Sequence, residues 1–317
     1  MLLLSDADVE RLLTMREAID AVEGAFGEYA RGSALMPPRS TMMLSRFGGS
    51  VSLMPSYLEE TGALATKIIS TYPRNPERGL PTIIAWLAVS DPETGALEAL
   101  IEATYLTAVR TGAVTGVAAR YLAPRGSRVA AVIGCGAQGR TQAWALAETC
   151  PLEVIRVHDI SRERVRRFID EMGPRLGVDI AAAGSGAEAV RGADIVVTAT
   201  TSREPVVRRG WLGDEVHVSA IGSFYPDHRE LDTETVAEAK VVVDSREAVL
   251  AEAGDLLIPI GEGAIAEDHI HAELGDLVLG RREGRVEGDG LTIFKSVGLA
   301  IQDSAVASLV LRKWRET

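Results

Sequence analysis

The stretch from Val129 to Gly139, Val-Ala-Ala-Val-Ile-Gly-Cys-Gly-Ala-Gln-Gly, constrains the fold of this chain more than any other. An apolar run breaks into glycines and then enters a helical pattern, which reads as a strand, a tight turn and a helix. Gly134 permits the turn out of the strand, Gly136 lets a ligand approach the backbone, and Gly139 lets the helix sit close to the sheet. Free N–H groups at the start of that helix, on Ala137 and Gln138, would hold a pyrophosphate. Glycine turns of this kind also arise for steric reasons alone, so the context matters. A second apolar run, Glu153 to His158, ends at Asp159, about twenty residues beyond the loop, where a dinucleotide site needs an acid for the ribose hydroxyls. Dinucleotide binding is therefore expected.

The pattern after Pro124 supports this. Strand-like and helix-like segments alternate through Arg128–Ile133, Arg140–Thr149, Val154–His158, Arg162–Met172, Val178–Ala182, Ala187–Arg191, Asp194–Ala199, Val216–Ala220 and Lys240–Asp244. Parallel strands need covering crossovers, so six such strands predict a Rossmann-type doubly wound α/β sheet. The part before it differs. Thr14 and Glu17 make a capping box for a helix that runs to Gly32. Short strands follow at Arg39–Arg46, Val51–Met54 and Ala63–Ser70, and Thr82–Ser90 and Ala96–Glu102 form a hairpin about Asp91-Pro92-Glu93-Thr94-Gly95. This predicts an α+β domain with antiparallel sheet. Ala103–Leu122, nearly free of charge, predicts a buried helix joining the two. Leu291–Arg312 carries another helical pattern that returns to the first domain. The expected domains are residues 1–122 with 293–317, and 123–292.

At 317 residues the chain can bury two cores, and its net charge of −12 without a basic stripe argues against a nucleic-acid partner. Cys135 and Cys150 make neither a disulfide framework nor a metal-ligand pattern, which fits a reducing compartment. Met1-Leu2-Leu3-Leu4 gives way at once to Ser5-Asp6, too short an apolar run for a secretion signal, and no run is long enough for a bilayer. A cytoplasmic placement, with no membrane partner, is expected. His269 and His271 lack companion ligands and read as surface residues, so no metal is expected.

Three cations stand out by their surroundings: Arg39 after paired prolines, Lys67 inside an apolar strand, and Arg110 in the nearly uncharged helix. A buried cation needs an anion, either an internal carboxylate or that of a substrate. Asp227 and His228, in the loop after the fifth strand, occupy a ligand-side position and equally fit an exposed turn.

These residues together resemble the ornithine cyclodeaminase/mu-crystallin family over nearly the whole chain. The resemblance rests on Met36-Pro37-Pro38-Arg39, Leu53-Met54-Pro55, Thr66-Lys67, Gly79-Leu80-Pro81-Thr82, Leu106 to Ala113, the glycine loop, Gly192 to Val196, Arg229-Glu230-Leu231-Asp232 and Thr292 to Gly298. It implies a homodimer whose substrate and dimerisation domain combines the N-terminal part with the C-terminal helix. It also implies that Arg39, Lys67 and Arg110 clamp the carboxylate of a small amino or imino acid, with Lys67 and Arg110 catalytic. Thr111, Thr198, Ala199, Thr200, Gly222, Lys295 and Ser296 would then lie at the cofactor. In the cyclodeaminases the resemblance places an acid/base aspartate where this chain has Phe224, and an acid before Leu-Met-Pro where it has Ser52. The chain is thus more similar to the family's ketimine reductases. An NAD(P)H-dependent reduction of a cyclic imino acid such as Δ1-pyrroline-2-carboxylate is expected. Other activities within the resemblance are ornithine cyclodeamination, alanine-type or opine-type amino-acid dehydrogenation, and a mu-crystallin-like binding role. Asp159 favours NAD(H) over NADP(H), while Arg162 and Arg164 just beyond it could partner the extra phosphate.

Overall fold

The computed structural model describes residues 1–317, which divide into two compact units, Met1–Arg110 with Leu299–Thr317, and Thr111–Gly298. The division differs from the expected one at both boundaries. The helix Thr104–Leu122 is a single unbroken element whose first residues pack in one unit and whose later residues pack in the other. A composition shift at Pro124 marks the end of that helix and is blind to where its contacts change.

The first unit is built on a seven-stranded sheet. Its spatial order is Leu2–Leu4, Leu97–Glu102, Ile83–Ser90, Ala63–Thr71, Gly49–Leu58 and Ala34–Leu35, with Ser40–Leu44 also paired to Gly49–Leu58. All pairs are antiparallel except Leu2–Leu4, which lies parallel to Leu97–Glu102. The helix Met15–Arg31 starts on the expected capping box of Thr14 and Glu17 and ends at Gly32, whose φ of 83° suits a residue without a side chain. Together with the C-terminal helix Ala300–Arg315 it covers one sheet face, and Lys313 bridges to Glu17 at 2.7 Å. Strand alternation decides what points inward. In Ala63–Thr71 the buried positions are Ala63, Ala65 and Lys67, so the period of two carries the lysine onto the core face.

The second unit holds eight parallel strands. Counted in chain order from Val129–Ile133 as the first, they stand 3-2-1-4-5-8-6-7. The expected doubly wound parallel sheet is present, with two strands beyond the six expected. Ile270–Glu273 forms one edge, and Leu291–Lys295, expected as the start of a helix, inserts between Val216–Ala220 and Lys240–Val243. All five residues of that insert are buried, and a short apolar run gives no periodicity by which to tell strand from helix. The helical pattern is real only from Ala300 onward. No helix is long and apolar enough to cross a membrane.

Candidate active site

The glycine turn is built as its sequence requires. Gly134 has a φ of +104°, and a Cβ there would lie 2.5 Å from the carbonyl oxygen of Ala199. At Gly139 a Cβ would come within 1.9 Å of the Gly134 carbonyl oxygen, so only glycine lets the helix Ala137–Thr149 begin this close to the strand. Gly136 is different: nothing lies within 4 Å of where its Cβ would stand. It is the N-cap of that helix and gives no side-chain cap, so the first amides, those of Ala137 and Gln138, are left for a ligand. An open cradle over uncapped amides fits a dinucleotide pyrophosphate. Asp159 closes the turn from the next strand, accepting from the Cys135 amide at 2.9 Å and the Ser161 amide at 2.8 Å. Each carboxylate oxygen keeps a lone pair for a ribose hydroxyl. Arg162 and Arg164 are exposed on the first turn of the following helix.

The loops at the carboxyl ends of neighbouring strands are tied to a residue whose role was not read from the sequence, Glu230. Its fully buried carboxylate accepts from the amides of Thr200 and Gly222, both at 2.7 Å, and from the hydroxyls of Thr198 at 2.9 Å and Thr200 at 2.7 Å. Gly222 is forced here, since a Cβ would meet the Thr200 backbone at 2.2 Å. Burial and the nearby charge of Asp255 push the Glu230 carboxyl above its ordinary range. Asp255 itself accepts from the amides of Glu230 and Leu231 and from Lys295 Nζ at 2.8 Å. Lys295 also donates to the Ser223 carbonyl at 2.6 Å, and Ser296 Oγ donates to Asp244 at 2.7 Å. The Lys295 and Ser296 side chains, expected at the cofactor, are thus engaged inside the unit and shape the loops from below. Thr111 offers its carbonyl to Gln142 at 3.1 Å, and the next residue, Gly112, lets the helix approach the Thr141 backbone.

His228 has both ring nitrogens engaged. Nδ1 meets Asp227 at 2.8 Å, and Nε2 lies 3.2 Å from Arg203 Nε, which ties the ring into an outer loop. His269 and His271, expected as surface residues, are half-buried, and each bonds a backbone carbonyl through Nε2.

In the first unit the cations gather. Lys67 and Arg110 meet one carboxylate, Asp303 of the C-terminal helix, with Lys67 Nζ 2.6 Å from Oδ2 and Arg110 Nε 2.9 Å from Oδ1. All three side chains are buried. Arg110 Nη1 also donates to the Gln302 carboxamide oxygen at 2.6 Å. Lys67 lies beside Met54 and Leu87 on the neighbouring strands, both apolar and buried, which is why it is so poorly solvated. Burial, then the charge of Arg110 and that of Arg39, pull its pKa from 10.5 to about 7, against the pull of Asp303. Asp303 and Gln302 were missed in the sequence. The signal is there, because Asp303 is a lone acid in a helical turn that is otherwise buried, and a buried anion needs a partner as a buried cation does.

A glycine turn built for a pyrophosphate, an acid at the second strand end and a buried cation cluster define an NAD(P)-dependent oxidoreductase. The model of the ornithine cyclodeaminase/mu-crystallin family matches residues 1–317, and the chain belongs to that family. The Δ1-pyrroline-2-carboxylate reductase of Thermococcus litoralis, solved with NADH and L-proline, is 47% identical, with a TM-score of 0.97 over 100% of this chain and 98% of that one. An archaeal alanine dehydrogenase, solved as a dimer with NAD, is 37% identical, with a TM-score of 0.94 over 100% and 96%. Among curated relatives, a Δ1-pyrroline-2-carboxylate reductase of Bacillus cereus is 37% identical over 314 residues, 99% of this chain and 96% of its own.

Proposed function

We propose that this protein reduces a small cyclic imino acid, such as Δ1-pyrroline-2-carboxylate, to the amino acid at the expense of NADH. The observation that carries the reading is the charge balance of the buried cluster. Asp303 is the one carboxylate bonded to Lys67 and Arg110, while the charge of Arg39 also acts on Lys67. Two cations, Lys67 as the ammonium and Arg110, against one carboxylate leave an excess that a substrate carboxylate neutralises, and a guanidinium fork suits that group. The T. litoralis relative, with L-proline bound, points to the same substrate class.

When bound, the reduced nicotinamide supplies the hydride. The chain's own residues do the rest. Arg39 and Arg110 hold the carboxylate and so fix the adjacent C=N carbon. Lys67, as an ammonium, gives one proton to the ring nitrogen and is left as the amine; with the hydride added to carbon, the imine becomes the secondary amine and the charges balance. In the reverse direction neutral Lys67 takes that proton back. Phe224 cannot move a proton, which speaks against a cyclodeaminase route through that position. Asp159 at the ribose end favours NAD(H), since a carboxylate repels the additional phosphate of NADP(H).

A homodimer completes the proposal. Leu35, Met42, Met43, Phe47 and Leu53 are exposed large apolar side chains on the strands and connecting turn between Ala34 and Leu58. Strand pairing puts Leu35, Met42 and Leu53 on one face of the sheet, exposed apolar side chains on a shared face mark a protein interface, and the archaeal alanine dehydrogenase relative is a dimer.

The test is loss of NADH absorbance with Δ1-pyrroline-2-carboxylate and Δ1-piperideine-2-carboxylate, beside pyruvate plus ammonia and the reverse assay with ornithine plus NAD. Fast oxidation with a cyclic imine supports the reading. Turnover confined to pyruvate with ammonia, or to ornithine, overturns it.

A further inference from the structure

Gln302 is wholly buried at the start of the C-terminal helix, and its carboxamide is oriented without ambiguity. Arg110 Nη1 can only donate, so the atom it meets at 2.6 Å is the carboxamide oxygen. The amide nitrogen faces the other way, and it is buried with no hydrogen-bond partner. A buried donor left unmade is costly, and such groups in folded proteins call for a partner. Asp303, whose Oδ2 accepts from Lys67 and Oδ1 from Arg110, makes no bond to this nitrogen. The helix adds an independent pull on an anion. It runs from Ala300 to Arg315, its N-cap Leu299 offers no side-chain cap, and its positive end lies at this turn.

We propose that Gln302 Nε2 donates a hydrogen bond to the carboxylate of the bound imino acid, which makes the first turn of the C-terminal helix part of the substrate site. The proposal rests on the imino-acid reading above and deepens it. Gln302 then has two tasks: its oxygen holds the Arg110 fork in place, and its nitrogen adds a donor to the same ligand.

Two variants separate these tasks. Gln302→Glu keeps an acceptor for Arg110, removes the donor and adds a negative charge; Gln302→Met keeps the volume and removes both polar atoms. Purified full-length proteins are assayed for KM and kcat with Δ1-pyrroline-2-carboxylate, for L-proline affinity in the presence of NADH, and for NADH dissociation by fluorescence. A hydrogen bond to a charged group corresponds to roughly tenfold or more in affinity. KM and the proline dissociation constant should rise by about that factor in Gln302→Met and further in Gln302→Glu, with the NADH dissociation constant unchanged. Unchanged KM and proline affinity in both variants beside an active wild type overturn the Gln302 assignment and leave the imino-acid reading standing. A fall in kcat and in NADH affinity with no change in proline affinity marks a purely structural residue and also overturns it. Wild-type protein that neither reduces the imine nor binds proline overturns the reading itself, and this proposal with it.

Discussion

Lys67 is pulled in two directions. Its apolar neighbours and two guanidiniums favour the amine, and Asp303 favours the ammonium. The outcome, a pKa of about 7, is that of a group able to give and take a proton near neutrality. Imine reduction needs the ammonium, so its rate should fall as pH rises through about 7, while amine oxidation should rise over the same range. Asp303→Asn removes the one influence that raises this pKa. The descending limb of reduction should move to lower pH, and breaking the buried cluster should cost about 3–5 kcal/mol of stability. Limbs that stay in place in pH–rate profiles of the variant would remove Lys67 from the proton step. Stability has its own sign. The unfolded lysine holds its proton up to about 10.5 and the folded one releases it at about 7, so the lysine's contribution to stability rises with pH across that window. In the proposed function Asp159 stands at the other end, by the cofactor ribose. Asp159→Ala should lower the preference for NADH over NADPH in kcat/KM, and an unchanged ratio would mean that another group reads the ribose.

At the scale of elements, backbone approach does what side chains cannot. Gly139→Ala places a Cβ 1.9 Å from a backbone oxygen, which cannot rotate away. The expected result is loss of NADH binding, measured by fluorescence titration, with the first unit still folded by circular dichroism; normal NADH affinity would show that the turn can open. Much of this level was legible in the sequence. The capping box of Thr14 and Glu17, the turn about Asp91 and the strand–glycine–helix of Val129 to Gly139 are local patterns, and the structure has each of them. Leu291–Lys295 merges with the helical pattern that follows it because five apolar-rich residues carry no period. Leu2–Leu4 leaves no local signal because a three-residue strand exists only through its parallel partner. The carboxylates that fix the ligand-side loops, Glu230, Asp244 and Asp255, bond residues far away in sequence, so nothing local announces them. Gln302 and Asp303 were within reach, since an acid in a buried helical turn raises the same question as a buried cation.

At the scale of the whole molecule, the chain leaves its first unit at Arg110 and returns at Leu299, so one segment places Lys67 and Arg110 and a distant one, Gln302 and Asp303, completes their surroundings. Which apolar residues remain uncovered is likewise a product of the assembled sheet, and alternation along a single strand does not reveal it. Burying Leu35, Met42 and Leu53 between two copies should make Met42→Glu a monomer by light scattering where the wild type is a dimer; a wild-type monomer would contradict the assembly. The central claim is that hydride goes to the imine carbon whose carboxylate the cation cluster holds. It is tested most directly by reducing Δ1-pyrroline-2-carboxylate with NADH deuterated at nicotinamide C4 on the transferred face and locating the label by NMR. The account requires proline carrying one deuterium at C2. Proline without the label at C2, or no proline at all, would contradict it.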